Sequence, residues 1–267
     1  MSTIDPTARI EDGAVIGEGT SIGPYCIIGP HVVIGANCRL IAHVNVAGHT
    51  TIAAGCVIYP FAALGGPPQD LSYRDEPTGL EIGEECTIRE GVTMNVGTKK
   101  GGGITRVGAR GYFMNNSHIG HDCVVGNDVI FATSATLGGH CEIGDSVYIG
   151  GLSAVHQFTR IGPQVMIGGV CGVRRDVIPF GLVNGQHASL EGLNLVGMKR
   201  RRFTRERLAV LRSFYQKLFH GPGTFADRLS AVQALAAADP AIAQILTFIG
   251  DGRRRSLCLP DDSDSRY

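Results

Sequence analysis

The sequence predicts an all-β domain of short strands and turns, followed by a small α-helical domain. Three observations predict this fold class. Aliphatic residues recur at every sixth position through most of the chain, glycine is abundant at 38 of 267 residues, and the pattern becomes helical after about residue 185. A period of six does not fit the face of an α-helix, which returns every three or four residues, but it suits a short strand followed by a turn.

The six-residue repeat occupies three segments, 4–64, 82–94 and 107–173, and its phase moves by one residue before the third. An aliphatic side chain, which we expect to point inward, marks each repeat of the first segment without a polar exception. The repeat is lost near 65–79 and again near 96–106. We expect both interruptions to be loops that leave the repeat without breaking it.

The cysteines follow the same repeat. Seven of the eight occupy the position that elsewhere holds a small or β-branched residue, and these are Cys26, Cys38, Cys56, Cys86, Cys123, Cys141 and Cys171. The chain has no Cys-x-x-Cys pair. We therefore expect free, buried thiols rather than disulfides or a metal site.

Helix signals replace the repeat in the C-terminal part. Thr204 is placed to cap a helix that ends at the Gly-Pro-Gly turn of 221–223. Thr224, three residues before an aspartate, indicates a capping box, and Asp239 followed by proline indicates the start of another helix. The polar tail from Arg253 is expected to fray.

The repeats resemble those of the hexapeptide-repeat acyltransferases over about residues 4–184. The resemblance implies a left-handed parallel β-helix of triangular section, with three hexapeptides in each coil. We assign the β-helix to residues 1–185, with the two interruptions as expelled loops, and a helical domain with a frayed tail to residues 186–267.

Charge and hydropathy exclude several partners. Lysine plus arginine equals aspartate plus glutamate, at 24 each, so the balance does not indicate a nucleic-acid partner. No apolar run approaches the roughly 18 residues of a membrane span, and the N-terminus does not have the pattern of a secretion signal. We expect a cytoplasmic protein without a membrane span.

Three histidines fall on one wall of the predicted β-helix. With three hexapeptides in a coil, residues 18 apart lie one above the other at about 4.8 Å. His121, His140 and His156 then lie on adjacent coils of one face, with Gly139 above His121 and Asp122 beside it. Such a cluster indicates acid–base catalysis, or zinc binding as in the β-helical carbonic anhydrases; a non-catalytic scaffold is the third possibility.

Five segments carry a closer resemblance. They are His-Ile-Gly-His-Asp at 118–122, Ala-Thr-Leu-Gly-Gly-His at 135–140, Ala-Val-His-Gln-Phe at 154–158, Gln-Asp-Leu at 69–71 and Lys-Arg-Arg at 199–201. They are similar to the UDP-N-acetylglucosamine O-acyltransferases over essentially the whole chain. This implies transfer of an (R)-3-hydroxyacyl group from acyl carrier protein to the sugar 3-hydroxyl, the first step of lipid A biosynthesis. It also implies a homotrimer with sites between neighbouring chains and no cofactor or metal.

The resemblance implies that His121 is the general base, that Asp122 orients it, and that the backbone N–H of Gly139 binds the oxyanion. A sugar hydroxyl is too weak an acid to attack a thioester unaided, so a base must accept its proton. An ordinary imidazole, with a pKa of about 6.5, is largely neutral near pH 7 and suits this role. A glycine allows close approach of substrate to the backbone.

Further residues match substrate-binding positions of that family, and they are Asp70, His118, His140, His156, Gln157, Asn194 and Arg200. Gly169 matches the position that limits acyl-chain length, and a glycine there favours a chain longer than ten carbons. The basic segment 199–207 is either a solvated helix start or a surface for acidic acyl carrier protein.

Three positions depart from the family pattern. Ser72 stands where a lysine is common, Asn95 replaces a histidine, and Val196 stands where a glutamate that contacts uridine often occurs. All three belong to the nucleotide-sugar end of the implied site. A sugar nucleotide with a 3-amino group, which would give an amide product, therefore stays open as the acceptor.

Overall fold

The computed structural model describes residues 2–251 and 255–261. Within them the repeats form three parallel sheets, here numbered I to III, because each repeat gives one short strand before the chain turns to the next face. Each strand pairs with the strand one coil later, most often at a spacing of 18 residues, as Ile119 pairs with Leu137. This arrangement is a left-handed parallel β-helix followed by helices, and the predicted fold class is confirmed.

The strands of sheet I are Thr3–Ile4, Ser21–Ile22, Arg39–Leu40, Val57–Ile58, Thr87–Ile88, Tyr112–Phe113, Ile130–Phe131, Tyr148–Ile149, Met166–Ile167, Gly181–Asn184 and Ser189–Leu193. Those of sheet II are Arg9–Ile10, Ile27–Ile28, Asn45–Val46, Ala63–Gly66, Thr93–Asn95, His118–Ile119, Thr136–Leu137, Ala154–Val155 and Gly172–Val173. Those of sheet III are Val15–Ile16, Val33–Ile34, His49–Ile52, Gly79–Ile82, Ile104–Val107, Val124–Val125, Glu142–Ile143 and Arg160–Ile161.

The sheets meet at three edges, named after the sheets that they join. Edge II–III contains turns such as 120–123, edge III–I turns such as 162–165, and edge I–II turns such as 168–171. The aliphatic residue of nearly every repeat is buried inside the prism, where Phe113 and Phe131 add the largest side chains. Burying these side chains holds the coils together.

Both loops leave the prism at edge II–III. The first lies between the strands Ala63–Gly66 and Gly79–Ile82, and the second between Thr93–Asn95 and Ile104–Val107. The last of these strands begins inside the predicted second interruption, so the loop itself is shorter than the sequence indicated. The second loop contains one 3₁₀ turn, Lys99–Gly101.

The helical part begins later than the sequence boundary at residue 185. That position falls within an antiparallel hairpin whose second strand, Ser189–Leu193, still belongs to sheet I. The helices are α1 (Leu195–Arg200), α2 (Arg205–His220), α3 (Phe225–Val232) and α4 (Pro240–Gly250), with a 3₁₀ turn at Gln233–Ala237. Their caps include the three expected ones, Thr204, Thr224 and Asp239.

Part of the tail that was expected to fray is held against the last coil. The backbone N–H of Asp176 donates to Ser256, and the N–H of Cys258 donates back to Asp176. The rest of that expectation, for residues 253–254 and 262–267, lies outside the described residues. No helix in the described ranges is long and apolar enough to cross a membrane.

All eight cysteines are free and buried, as predicted. Burial raises the pKa of Cys171 and of Cys258 to about 11, which keeps both thiols protonated near neutral pH. The seven cysteines of the repeats therefore act as small core residues.

Candidate active site

The central feature of edge II–III is a stack of three residues 18 apart. Asp122, His140 and Phe158 share a left-handed backbone conformation, with φ of 59°, 60° and 63°. The His140 ring stacks on Phe158 at 4.4 Å between centroids and meets the His121 ring edge-on at 5.0 Å. The turn geometry thus brings His121, Asp122 and His140 together.

His121 and Asp122 form a hydrogen-bonded pair, with 2.8 Å between Nδ1 and Oδ2. The carboxylate is fully buried, and its Oδ2 lies 3.6 Å from Nε2 of His140. Burial is the largest single influence and raises the pKa of Asp122, but hydrogen bonds from His121 and Thr98 together outweigh it. The pKa of Asp122 is therefore lowered, and the carboxylate is ionised where an imidazole titrates.

Gly139 lies directly against the His121 ring, as the 18-residue spacing predicts. A Cβ at position 139 would lie 2.6 Å from Cε1 and 2.7 Å from Nε2 of His121. Within the described part of the chain, the backbone N–H of Gly139 donates no hydrogen bond. The backbone of Gly139, whose N–H is available as a donor, therefore packs on the ring whose Nε2 faces away from Asp122.

His118 lies earlier on the same face, in the strand His118–Ile119. Its Nδ1 is 2.7 Å from the hydroxyl oxygen of Thr93. Burial, with a contribution from the charge of His121, lowers the pKa of His118. Its imidazole is therefore neutral over a wider pH range than an exposed one.

His156 and Gln157 lie on the expected face but apart from this cluster. Both side chains are exposed, and Nδ1 of His156 accepts a hydrogen bond of 2.8 Å from Arg255. No contact of His156 with His121 or His140 is found in the described ranges. His156 directly follows a strand, whereas the other two lie further into their turns, so a shared face did not bring all three together.

The two loops close over the cluster. Asp70 of the first loop accepts a hydrogen bond of 2.8 Å from the N–H of Ser72. Bonds from Ser72 lower the pKa of Asp70, with smaller contributions from the charges of His121 and Lys100. A cavity of about 610 Å³ opens beside them, lined by Lys100, Gly101, Asp122, Val124, His140, Glu142, Phe158 and Arg160.

Thr98 of the second loop is a site residue that the sequence did not indicate. Its backbone N–H donates to Oδ1 of Asp122 at 2.8 Å, and its hydroxyl donates to Oδ2 at 2.7 Å. Gly101 packs so closely on the same carboxylate that a side chain there would collide with it. Two features of the sequence could have indicated Thr98. The second interruption is rich in glycine, and it leaves the prism at the edge that also holds His121.

The cluster also has the donor set of a metal site. One ligand atom each from His121, Asp122 and His140 can be chosen within 4.8 Å of one another. Both oxygens of Asp122 are already hydrogen-bonded, and Oδ2 is the acceptor of His121. A metal bound through Oδ2 would therefore compete with the pairing that orients the imidazole.

Comparison with known proteins identifies the family of this chain. A protein of Azorhizobium caulinodans, named acyl-[acyl-carrier-protein]–UDP-N-acetylglucosamine O-acyltransferase, is 55% identical over 97% of this chain and 96% of its own length. A Rhizobium johnstonii protein of the same name is 47% identical over 96% and 94%. The chain belongs to this O-acyltransferase family.

Family models and solved structures agree with the assignment. The model described as UDP-N-acetylglucosamine O-acyltransferase, domain 2, matches residues 176–258, and that of the bacterial transferase hexapeptide matches residues 1–36. The Moraxella catarrhalis UDP-N-acetylglucosamine O-acyltransferase superposes with a TM-score of 0.92 at 38% identity, covering 96% of this chain and 99% of that one. The Francisella novicida enzyme gives 0.93 at 31% identity, covering 98% and 95%.

Asn194 and Arg200, expected at the nucleotide in this O-acyltransferase family, lie at another edge of the prism. Asn194 caps α1 by accepting from the N–H of Gly197 at 2.9 Å, and its amide donates to the carbonyl of Gln164 at 2.9 Å. Gln164 belongs to edge III–I, and Arg200 ends α1. One chain therefore places these two residues and His121 on different edges.

Gly169, which the resemblance relates to acyl-chain length, lies exposed on edge I–II. A Cβ there would meet only the carbonyl oxygen of Gly151, at 3.5 Å. A small side chain fits without displacing its neighbours, so the surface beside Gly169 is open.

The three departures from the family pattern have different surroundings. Ser72 is exposed on the first loop, and Val196 is exposed on α1. Asn95 is buried, and its side-chain amide donates to the carbonyl of Pro67 at 2.9 Å, which ties the start of the first loop to sheet II. Asn95 thus supports the loop that carries Asp70.

Proposed function

We propose that this chain transfers an (R)-3-hydroxyacyl group from acyl carrier protein to the 3-hydroxyl of UDP-N-acetylglucosamine, the first step of lipid A biosynthesis. The observation that carries the proposal is the His121–Asp122 pair lying against the backbone of Gly139. Relatives up to 55% identical over nearly the whole chain are named for this acyl transfer. The acyl thioester is the co-substrate, and the reaction uses no cofactor or metal.

His121 acts as the general base. With Nδ1 directed to Asp122 at 2.8 Å, its Nε2 accepts the proton of the sugar 3-hydroxyl while the oxygen attacks the thioester carbonyl. The ionised Asp122 fixes this tautomer and stabilises the imidazolium that forms. When the tetrahedral intermediate collapses, the carbon–sulfur bond breaks and the departing sulfur of the carrier takes the proton from the His121 imidazolium.

Gly139 stabilises the intermediate. The negative charge develops on the former carbonyl oxygen, and a backbone N–H that is already in place can bind it without reorganisation. The close packing of Gly139 on the His121 ring supports this role for its N–H. The two groups can therefore act on the same carbonyl carbon.

The remaining family positions serve substrate binding. Asp70, His118 and His140 surround the base, whereas His156 and Gln157 extend the face along sheet II. Gly169 leaves room for an acyl chain longer than ten carbons, because only one atom approaches its Cβ position.

The active protein is a cytoplasmic homotrimer with its sites between neighbouring chains. Asn194 and Arg200 bind the nucleotide, and their separation from His121 on a single chain supports a site shared by two chains. Acidic acyl carrier protein approaches the basic segment 199–207, where opposite charge speeds association.

An acyl-transfer assay tests the function. UDP-N-acetylglucosamine and its 3-amino analogue are each offered with acyl carrier proteins that bear chains of several lengths. We expect ester formation with the 3-hydroxyl substrate, and loss of at least about a hundredfold in turnover for His121→Ala. His31→Ala is the control, because His31 is exposed on the same edge and its ring stacks on His49.

Each outcome decides between the candidate functions. If no donor–acceptor pair turns over, the proposal is wrong; turnover of the 3-amino analogue alone would make the product an amide. Stoichiometric bound zinc, together with activity that a chelator abolishes, would favour the zinc hydro-lyase, which the names of the relatives do not support. Full activity in His121→Ala would leave the β-helix as a scaffold.

A further inference from the structure

The second loop carries two adjacent lysines whose side chains line different cavities. Lys99 lines a second cavity with Glu76, and no histidine is among the residues that line it. Lys100 lines the cavity that contains Asp122 and His140. The 3₁₀ turn thus presents one lysine to the cavity of the candidate active site and its neighbour to a different cavity.

The ammonium group of Lys100 is held at the first loop by a neutral partner. Its Nζ lies 3.3 Å from the hydroxyl oxygen of Ser72. In the part of the chain that the structure describes, no carboxylate lies within ion-pair distance of Lys100. The guanidinium of Arg160 at the same cavity is already engaged by Asp176 at 2.7 Å. Lys100 therefore makes no ion pair within the described residues, interacts with the charge of Asp70 only at longer range, and can still take an anionic partner.

The backbone turn that carries Lys100 is tied to the base. The hydroxyl of Thr98 accepts a hydrogen bond of 3.2 Å from the N–H of Gly101, which closes the turn around Lys100. Thr98 also donates twice to Asp122, the carboxylate paired with His121. The turn, the carboxylate and the base are therefore one connected unit.

We propose that Lys100 binds a phosphate group of the substrate next to His121. The inference rests on the proposed function, in which both substrates carry such groups: the nucleotide sugar has a diphosphate, and the pantetheine arm of the carrier has a phosphodiester. The position where the family commonly has a lysine is Ser72 in this chain, and Lys100 places an ammonium at that serine from the other loop. The cation is supplied by a different segment at nearly the same place.

Steady-state kinetics of Lys100→Gln, with Lys99→Gln as the matched control, test the proposal. We expect Lys100→Gln to raise the KM of one substrate about tenfold, since a charge-assisted hydrogen bond contributes on that order. A raised KM for UDP-N-acetylglucosamine assigns the diphosphate, and a raised KM for acyl carrier protein assigns the phosphodiester. Lys99→Gln should change both values less than about twofold, because exposed charges away from a ligand contribute little.

A second variant tests whether the ammonium itself is required. Ser72→Lys added to Lys100→Gln restores a cation at the same place and should recover most of the lost affinity. Titration calorimetry with UDP-N-acetylglucosamine and with acyl carrier protein repeats the comparison without turnover. Equal affinities of Lys100→Gln and Lys99→Gln for both ligands would overturn the phosphate role, whereas an inactive wild-type chain would overturn only the proposed function.

Discussion

Asp122 is the residue on which the chemistry of the site depends. It accepts hydrogen bonds from two groups of Thr98 and from His121, and its own N–H donates to the hydroxyl of Thr105 at 2.8 Å. A buried carboxylate without such partners would be protonated. Thr98, in the second loop, therefore keeps Asp122 charged, and Thr105, in the strand after that loop, helps to align it for its histidine.

Thr98→Val should lower kcat about tenfold, with a smaller rise in KM because the turn around Lys100 also loses its bond from the N–H of Gly101. The variant loses the hydroxyl bond to Oδ2 but keeps the backbone bond to Oδ1, and one hydrogen bond to a charged group contributes about 1.5–3 kcal/mol. Thr98→Ser keeps the hydroxyl and should retain wild-type kcat. Wild-type kcat in the valine variant would show that the hydroxyl does not position the pair.

At the scale of elements, Arg160 joins α4 to the prism, because it is paired with Asp176 and also contacts Phe248 of α4. Arg160, in the last strand of sheet III, bonds Asp176 through both its Nε and its backbone N–H, at 2.7 and 2.9 Å. Its guanidinium also lies over the ring of Phe248, 4.4 Å from the centroid. The side chain of Arg160 is 9% exposed and that of Asp176 is 1% exposed, so solvent screens this pair little.

Asp176→Ala should destabilise the fold by about 3–5 kcal/mol, because it leaves the buried guanidinium without its partner. Urea unfolding measures the loss. The matched control is Asp128→Ala, which breaks the exposed pair of Arg110 and Asp128, also from adjacent coils. A similar loss of stability in both variants would show that burial of the Arg160–Asp176 pair does not account for its contribution to stability.

At the scale of the whole molecule, the six-residue period predicted the contacts that follow from the repeated pairing of strands. Strands in register placed Gly139 over His121 because residues one coil apart must lie adjacent in a parallel β-helix. The loops carry no such period, so the contact of Thr98 with Asp122 was not predictable from spacing. Nor was the separation of His156 from the other histidines, because a shared face does not fix where in the turn a side chain lies.

The arrangement of the edges leads to a test of the shared site. His121 lies at edge II–III, and α1, which ends at Arg200, starts beside edge III–I. If neighbouring chains of a trimer supply these two residues to one site, then His121→Ala and Arg200→Ala chains, each weakly active alone, complement each other when coassembled. In equal random mixtures a site takes an intact histidine with probability one half and an intact arginine with probability one half, so about one quarter of the sites are complete. Recovery near a quarter of wild-type turnover would support the shared site, whereas no gain over the separate variants would place both residues in sites within single chains.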